Sequence, residues 1–203
     1  MKNRVVIYCR RFEPCRAVQQ HRHGRRLLEQ ALKEEYQIDF TEDMITFMAN
    51  GKPCFKELPI FFNISHCNSM AVCALADVPV GVDVETGRRV KDSLVRRVLN
   101  SWEQAYVKEQ PESMDRFPEL WTLKESFIKM TGEGLRIPLN TVNFRLRESI
   151  EDGEVISEDA RLWRSSNRIS CSRPGYFMQW KLDGGYVLSL CTKEEREAYV
   201  RQC

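Results

Sequence analysis

The alternation of hydrophobic and polar positions in the first half of the chain predicts four strands and one long helix. Apolar residues recur every three or four positions over 17–36, as they do on one face of a helix, although Gly24 weakens the pattern in its middle. A turn is predicted at 50–53, where glycine and proline lie close together. The strands are predicted at 4–9, at about 60–66, at about 69–77 and, after Pro79, at 80–85.

The second half of the chain begins with helical patterns and ends with β patterns. Helices are predicted near 91–108 and at about 119–131, on either side of a proline-bounded loop at 111–118. After Pro138 the pattern is that of strands, and two Asp-Gly pairs predict hairpin turns. The pairs are Asp152-Gly153 and Asp183-Gly184, and the arms of the last hairpin are predicted at 176–182 and 186–191.

This order of elements predicts an α+β fold, because strands and helices do not alternate strictly along the chain. Pro79 is the most plausible seam between two halves. The predicted division therefore gives an N-terminal half, residues 1–79, and a C-terminal half, residues 80–203.

Composition excludes several classes of protein. The 203 residues are 42% hydrophobic and 30% charged, with a net charge of +2, which is ordinary for a globular protein and less basic than a dedicated nucleic-acid binder. The eight cysteines contain no CxxC pair, and the N-terminal apolar run is too short for a signal peptide, so free thiols in a reducing cytoplasm are expected. No apolar run approaches the length of a membrane span.

Charge is concentrated at the N-terminus. Residues 1–28 hold eight basic side chains and one acid, whereas 29–43 are mainly acidic. A short basic segment in a nearly neutral protein suits a small anionic ligand. A solvated basic face remains the alternative.

Two carboxylates alternate with valines in the strand predicted at 80–85. Asp83 and Glu85 share a strand face with Gly81, roughly 6.6–7 Å apart, and like charges at that spacing repel. A divalent cation with oxygen ligands would offset the repulsion. The alternative is a half-buried strand whose polar face lies in water.

The helix predicted at 119–131 places Glu125 and Lys129 on the side opposite its apolar stripe. A Glu and Lys four residues apart are usually a surface ion pair. Here apolar residues also flank the polar side, so the pair can instead line a partly apolar cleft. The stripe consists of Leu120, Leu123, Phe127 and Met130, and the flanking residues are Trp121 and Ile128.

Small polar residues end the strand predicted at 60–66. Asn63, Ser65 and His66 lie there, and a lone histidine is more often structural than functional. The chain contains no P-loop, no full GxGxxG, no GxSxG and no HExxH motif.

Taken in order, these segments resemble the 4′-phosphopantetheinyl transferase superfamily, in particular its surfactin-synthetase-activating (Sfp-like) group. The resemblance is strongest over about 51–139. It is carried by Gly51-Lys52-Pro53, Asn63-Ile64-Ser65-His66, Gly81-Val82-Asp83-Val84-Glu85, the run from Trp121 to Lys129, and Gly132-Glu133-Gly134-Leu135.

The resemblance implies a reaction and a fold. The reaction is that of a holo-[acyl-carrier-protein] synthase type transferase: 4′-phosphopantetheine moves from coenzyme A (CoA) to a serine of an apo acyl or peptidyl carrier protein, releasing adenosine 3′,5′-bisphosphate. The implied fold is a pseudo-two-fold pair of α+β halves with the active site between them. A cytoplasmic monomer without nucleic-acid or membrane partners is expected.

The resemblance also implies residue roles. Asp83, Glu85 and Glu125 match the acidic ligands of Mg²⁺, with Mn²⁺ as an alternative, and Glu125 also matches a base for the carrier serine. Asp83 and Lys129 complete the implied catalytic set, with Lys129 steadying the pyrophosphate and the leaving group. Contacts to CoA are implied for Lys52, Ser65, His66 and Lys124, and Arg22 and Arg25 are alternatives for its 3′-phosphate. Glu103 matches a further acidic position whose role is open.

Two other classes of function remain to be weighed. A non-catalytic relative could bind CoA or a carrier protein without turnover, but the intact carboxylates and Lys129 argue against such decay. A nucleic-acid-binding protein would use the arginine-rich N-terminus, where the aromatic residues that typically accompany such binding are not interleaved.

Overall fold

The structure is a computed structural model, and it describes residues 3–87, 90–109, 116–146, 154–157, 160–163 and 169–203. The strands are β1 (Arg4–Arg11), β2 (Ile45–Phe47), β3 (Pro53–Phe55), β4 (Phe61–Cys67), β5 (Met70–Ala76), β6 (Val80–Thr86), β7 (Phe144–Leu146), β8 (Glu154–Ser157), β9 (Ala160–Trp163), β10 (Ile169–Cys171), β11 (Tyr176–Leu182), β12 (Tyr186–Thr192) and β13 (Glu197–Gln202). The α-helices are α1 (Ala17–Tyr36), α2 (Asp92–Val98), α3 (Ser101–Lys108) and α4 (Arg116–Thr131). Short 3₁₀ helices lie at Glu42–Met44, Gly134–Arg136 and Leu139–Thr141.

Two sheets are built from repeated units of the same topology. The first sheet has the order β4-β5-β1-β13-β9-β8 and the second the order β11-β12-β6. β1 runs antiparallel to β5, as β6 does to β12. The first unit, β1-α1-β4-β5, therefore matches the second unit, β6-α4-β11-β12, in both chain order and strand order. This repeat confirms the predicted α+β class and its pseudo-two-fold form.

The C-terminal strands join the first sheet. β13 pairs in parallel with β1, and β9 and β8 extend the sheet beyond it. The division into 1–79 and 80–203 therefore stays a prediction, although the two repeated units do meet at the short connection between Ala76 and Val80.

The main core lies between the two sheets. One face of the first sheet contributes residues such as Ile7 and Val72, and it packs against residues such as Val82 and Leu188 of the second. Each sheet is covered on its other face by the helix of its unit. Leu27 of α1 packs in the first helix–sheet core, and the second is formed by α4 with residues such as Phe177. The apolar stripe predicted for α4 is thus buried, and so is most of the face predicted for α1, although Val18 near its start is exposed.

The helix predicted over 17–36 is confirmed, and Gly24 does not interrupt it. A methyl group on Gly24 would lie 2.5 Å from Cγ2 of Ile64 in β4. The glycine therefore permits close packing of α1 on β4, which offsets its low helix propensity.

Two predicted helix boundaries were wrong. The single helix near 91–108 is two helices, because Asn100 caps α3 by accepting a hydrogen bond from the Glu103 backbone N–H at 2.9 Å. α4 begins at Arg116 rather than at 119, with Pro118 in its first turn, where a missing N–H costs little. The last hairpin has the predicted arms, whereas the predicted turn at 152–153 lies outside the described residues.

All eight cysteines are free. Within the described part of the chain, none of the helices combines the length and the apolar character needed to cross a membrane.

Candidate active site

The candidate site lies where the edge strands of the two sheets meet. The side-chain oxygen of Asn63 in β4 accepts a hydrogen bond from the Val82 backbone N–H at 2.8 Å, a normal length for an N–H···O bond. Two residues further along β4, the Ser65 hydroxyl donates to Oδ1 of Asp83 at 2.7 Å. Side chains of the first unit thus hold the free edge of β6.

α4 lies directly on the face of β6 that carries the carboxylates. A methyl group on Gly81 would lie 2.0 Å from the carbonyl oxygen of Ser126 and 2.3 Å from the backbone nitrogen of Met130. Only a residue without a side chain fits there, so Gly81 sets the distance between strand and helix. This contact brings Glu125 and Lys129 over the strand face that carries Asp83.

The Lys129 ammonium and Asp83 form the central ion pair of the site. Nζ lies 2.6 Å from Oδ1 of Asp83 and donates to the Ser65 hydroxyl oxygen at 2.9 Å. Asp83 is only 5% exposed, and among the described residues its Oδ2 has no hydrogen-bond partner. A buried carboxylate oxygen without a partner is costly, so the site is suited to a further cation or donor.

Glu125 lies among other carboxylates. Burial raises the pKa of Glu125, the charges of Asp83 and Glu85 raise it further, and Lys129 only partly offsets them. The three carboxylates therefore share one region of negative potential, which is where a divalent cation would be held.

The predicted convergence of the three carboxylates on one point is not present in this arrangement. The described residues contain no group of three His, Cys, Asp or Glu side chains already positioned to hold a metal ion. In this arrangement the Lys129 ammonium lies beside Asp83. Hard oxygen ligands and the unpartnered Oδ2 of Asp83 fit Mg²⁺ chemically.

A cleft of about 460 Å³ opens beside this cluster. Ser65, His66 and Lys129 line it together with His21 and Arg25 from α1. Burial lowers the pKa of His66, and the nearby His21 and Lys129 lower it further, so the neutral imidazole is favoured. Phe47, Pro53, Phe62, Asn63 and Ile64 complete the lining.

The two alternatives for the 3′-phosphate differ in position. Arg25 lines the cleft and pairs with Glu42 at 3.2 Å. Arg22 is exposed on the same helix and is not among the lining residues.

The predicted contact between Lys124 and CoA stays a prediction, and Lys124 is not among the residues that line the cleft. Lys124 is fully buried, and its Nζ lies 2.8 Å from Oε2 of Glu103 and 3.0 Å from the carbonyl oxygen of Leu139, with a further bond to that of Val142. Glu103 is equally buried, and its Oε1 accepts from the Phe144 backbone N–H at 2.9 Å. The pair joins α3 to α4, and removing one partner of such a pair typically costs about 3–5 kcal/mol.

The predicted contact between Lys52 and CoA likewise stays a prediction. It does not line the cleft, and its Nζ donates instead to the backbone carbonyls of Val80 and Met130. The sequence alone assigned no role to Asn63, although a polar amide between Phe62 and Ile64 in a strand was a signal for it.

Comparisons with known proteins agree with this architecture. Residues 79–191 match the model of the 4′-phosphopantetheinyl transferase superfamily. The chain is 31% identical over 186 residues to 4′-phosphopantetheinyl transferase Sfp of Bacillus subtilis (strain 168), covering 90% of this chain and 78% of that protein. It is 36% identical over 124 residues to 4′-phosphopantetheinyl transferase gsp of Aneurinibacillus migulanus, covering 58% and 52% of the two chains.

The carboxylate cluster and Lys129 lie within the matched segment, since Asp83, Glu85, Glu125 and Lys129 all fall between 79 and 191. The similarity to Sfp also extends over most of both chains. The chain therefore belongs to the 4′-phosphopantetheinyl transferase superfamily, as a member of its Sfp-like group.

Proposed function

We propose that this protein transfers 4′-phosphopantetheine from CoA to a serine hydroxyl of an apo carrier protein and releases adenosine 3′,5′-bisphosphate. The observation that carries the proposal is one cluster, Asp83, Glu125 and Lys129, that borders a cleft lined by cationic and imidazole side chains. Relatives at 31% and 36% identity are named 4′-phosphopantetheinyl transferases.

CoA is proposed to bind with its phosphates in the cleft. Arg25 and Lys129 supply positive charge there, and Ser65 and His66 supply a hydroxyl and an imidazole for hydrogen bonds. Arg25 is preferred to Arg22 for the 3′-phosphate, because it lines the cleft while Arg22 does not.

Asp83, Glu85 and Glu125 are proposed to hold Mg²⁺ or Mn²⁺. When bound, the metal would stabilise negative charge on the pyrophosphate. Lys129 would leave Oδ1 of Asp83 and donate to a phosphate oxygen of the leaving group. The same ammonium would thus neutralise Asp83 before CoA binds and the phosphate during the reaction.

Glu125 is proposed to accept the proton of the carrier serine. The serine oxygen forms a bond to the phosphorus that carries the pantetheine arm, and the bond from that phosphorus to the bridging oxygen breaks. Adenosine 3′,5′-bisphosphate leaves with the electron pair. Burial and the charge of Asp83 raise the pKa of Glu125, which makes its carboxylate a better proton acceptor than an exposed one.

The proposed setting is a cytoplasmic monomer. Both walls of the cleft come from one chain, since Ser65 belongs to β4 and Lys129 to α4. Eight free thiols suit a reducing compartment. Whether the enzyme is of the holo-[acyl-carrier-protein] synthase type depends on its preferred carrier.

Intact-mass analysis of apo carrier proteins tests the proposal. The protein is incubated with CoA, Mg²⁺ and a panel of acyl and peptidyl carriers, each paired with a carrier whose acceptor serine is replaced by alanine. We expect a phosphopantetheine adduct on the serine-containing form alone. Binding of CoA without an adduct on any carrier would instead identify a non-catalytic binding protein.

A further inference from the structure

Lys52 lies in the loop between β2 and β3 and reaches two backbone carbonyls of the second unit. Its Nζ donates to the carbonyl oxygen of Val80 at 3.1 Å and to that of Met130 at 3.2 Å. Val80 begins β6, and Met130 is in the last turn of α4. One ammonium from the first unit therefore joins the strand and the helix that carry the candidate active site.

Neither carbonyl receives a hydrogen bond from the regular secondary structure of its own element. The last four carbonyls of an α-helix lack an intrahelical donor, and the end of the helix is partly negative. On the free edge of β6, the Val82 N–H bonds to Asn63, so the Val80 carbonyl two residues earlier faces the same edge. The Lys52 ammonium supplies a donor to each.

The loop also packs closely against the end of α4. Gly132 follows the helix with φ +73°, and a methyl group there would lie 3.0 Å from Nδ2 of Asn50 and 3.2 Å from Cδ of Lys52. Burial lowers the pKa of Lys52 to about 8, as expected for an ammonium held within the structure. Cδ of Lys52 thus lies close to Gly132, while its Nζ bonds to the two carbonyls.

The two carbonyls are close in sequence to the reactive groups. Met130 directly follows Lys129, and Val80 precedes Asp83 by three residues in the same strand. Gly81 fixes how closely helix and strand approach, while Lys52 ties them at a second point. Together the two contacts leave little freedom for α4 to slide along β6.

We propose that Lys52 is a positioning residue whose ammonium fixes α4 against β6, so that Glu125 and Lys129 stand over Asp83 and Glu85, and that it does not bind a phosphate of CoA. This inference rests on the proposed function for its kinetic consequence. Its structural part is independent of turnover.

Steady-state kinetics of Lys52→Met separate positioning from phosphate binding. We expect kcat at saturating CoA to fall by roughly 10–100-fold, because small misplacements of reacting groups have effects of that size. The KM for CoA and the calorimetric Kd of metal-free CoA should stay within about twofold. Arg25→Met is the matched control, and it should raise the KM for CoA while kcat changes less.

Hydrogen exchange measured by mass spectrometry gives a readout that needs no turnover. In Lys52→Met, peptides covering 79–86 and 126–134 should exchange faster, whereas those of α1 should be unchanged. If Lys52→Met does not fold, Lys52→Gln, which retains a single donor group, is measured in its place.

Three results would overturn the inference. A large rise in KM and Kd for CoA with unchanged kcat would make Lys52 a phosphate ligand. A lower melting temperature with unchanged kcat would make Lys52 merely structural. Unchanged hydrogen exchange at 79–86 and 126–134 would show that Lys52 does not hold α4 against β6. If the wild-type protein forms no carrier adduct, the proposed function is refuted instead. The hydrogen-exchange experiment would still test whether Lys52 holds α4 against β6.

Discussion

The two repeated units share a topology but use the helix-facing side of their first strand differently. In the first unit, Val6 and Tyr8 of β1 pack against α1 in an apolar core. In the second unit, the corresponding face of β6 carries Gly81, Asp83 and Glu85 beneath α4. The same scaffold therefore provides packing in one unit and a charged site in the other.

Carboxylates show the contrast most clearly. In the first unit, burial raises the pKa of Glu34, but hydrogen bonds from Gln30 and Tyr8 and the charge of Arg201 outweigh it, so the net shift is downward. In the second unit, burial and neighbouring carboxylates raise the pKa of Glu125. A carboxylate with donors around it is satisfied, whereas one among other carboxylates is prepared for a cation or a proton.

Removal of divalent metal should have the largest effect. A chelator should stop carrier modification completely, because the clustered carboxylates would lack the ion that stabilises charge on the transferring phosphate. Intact-mass time courses check this, with activity restored by added Mg²⁺ or Mn²⁺. Full activity in the presence of chelator would contradict the proposal that the carboxylates of the second unit hold a catalytic metal ion.

Asp83→Ala should lower transfer by roughly 1,000-fold or more, since metal-ion stabilisation of the transition state contributes several kcal/mol. Glu125→Ala should have a similar effect. Circular dichroism should show an intact fold in both variants. Asp77→Ala, which removes a carboxylate outside the site that pairs with Arg196, is the control and should leave the rate near that of the wild type. Wild-type rates in either site variant would refute the assignment.

Lys129→Ala should slow transfer by roughly 100–1,000-fold, the range typical of a lost charge-stabilising contact. The metal concentration that gives half-maximal activity should rise less than in a carboxylate variant, because Lys129 is not proposed as a ligand. Initial rates over a Mg²⁺ titration test this. Equal metal dependence in Lys129→Ala and Glu85→Ala would argue against separate roles.

Stability against pH should distinguish Glu125 from Glu34 in the metal-free protein. The folded-state pKa of Glu125 is raised, so its ionised form destabilises the fold once the pH is above that value. Glu125→Gln should therefore raise the melting temperature at neutral pH, and the gain should vanish at low pH.

For Glu34 the sign is opposite. Its lowered pKa means that the ionised form stabilises the fold above the unfolded-state value, and this contribution is lost as the pH falls through the folded-state value. Glu34→Gln should lower the melting temperature at neutral pH and leave transfer unchanged. Thermal melts across pH measure both variants. If the melting temperature changed in the same direction in Glu125→Gln and Glu34→Gln, the proposed difference between the two units would be contradicted.

Local sequence pattern was enough for much of the fold. The spacing of Asp83 and Glu85 predicted their shared strand face, and the period of α1 predicted its limits, because both depend on neighbouring residues. The break between α2 and α3 had a readable signal that the helical pattern obscured, since Asn100 and Glu103 form a capping box.

Long-range contacts explain what could not be predicted. Lys52 and Lys124 resemble ligand contacts in sequence, yet both donate to backbone carbonyls far along the chain, at Met130 and Val142 for example. The pairing of β13 with β1 likewise joins the two ends of the chain. The periodicity of apolar residues within a segment does not predict such contacts.

Anomalous scattering from a crystal grown with Mn²⁺ and CoA tests the central claim most directly. We expect one manganese peak about 2 Å from carboxylate oxygens of Asp83, Glu85 and Glu125, with Lys129 moved from Asp83 to a phosphate oxygen of CoA. A manganese peak away from these carboxylates, or CoA bound outside the cleft with Lys129 still on Asp83, would contradict the proposed active site.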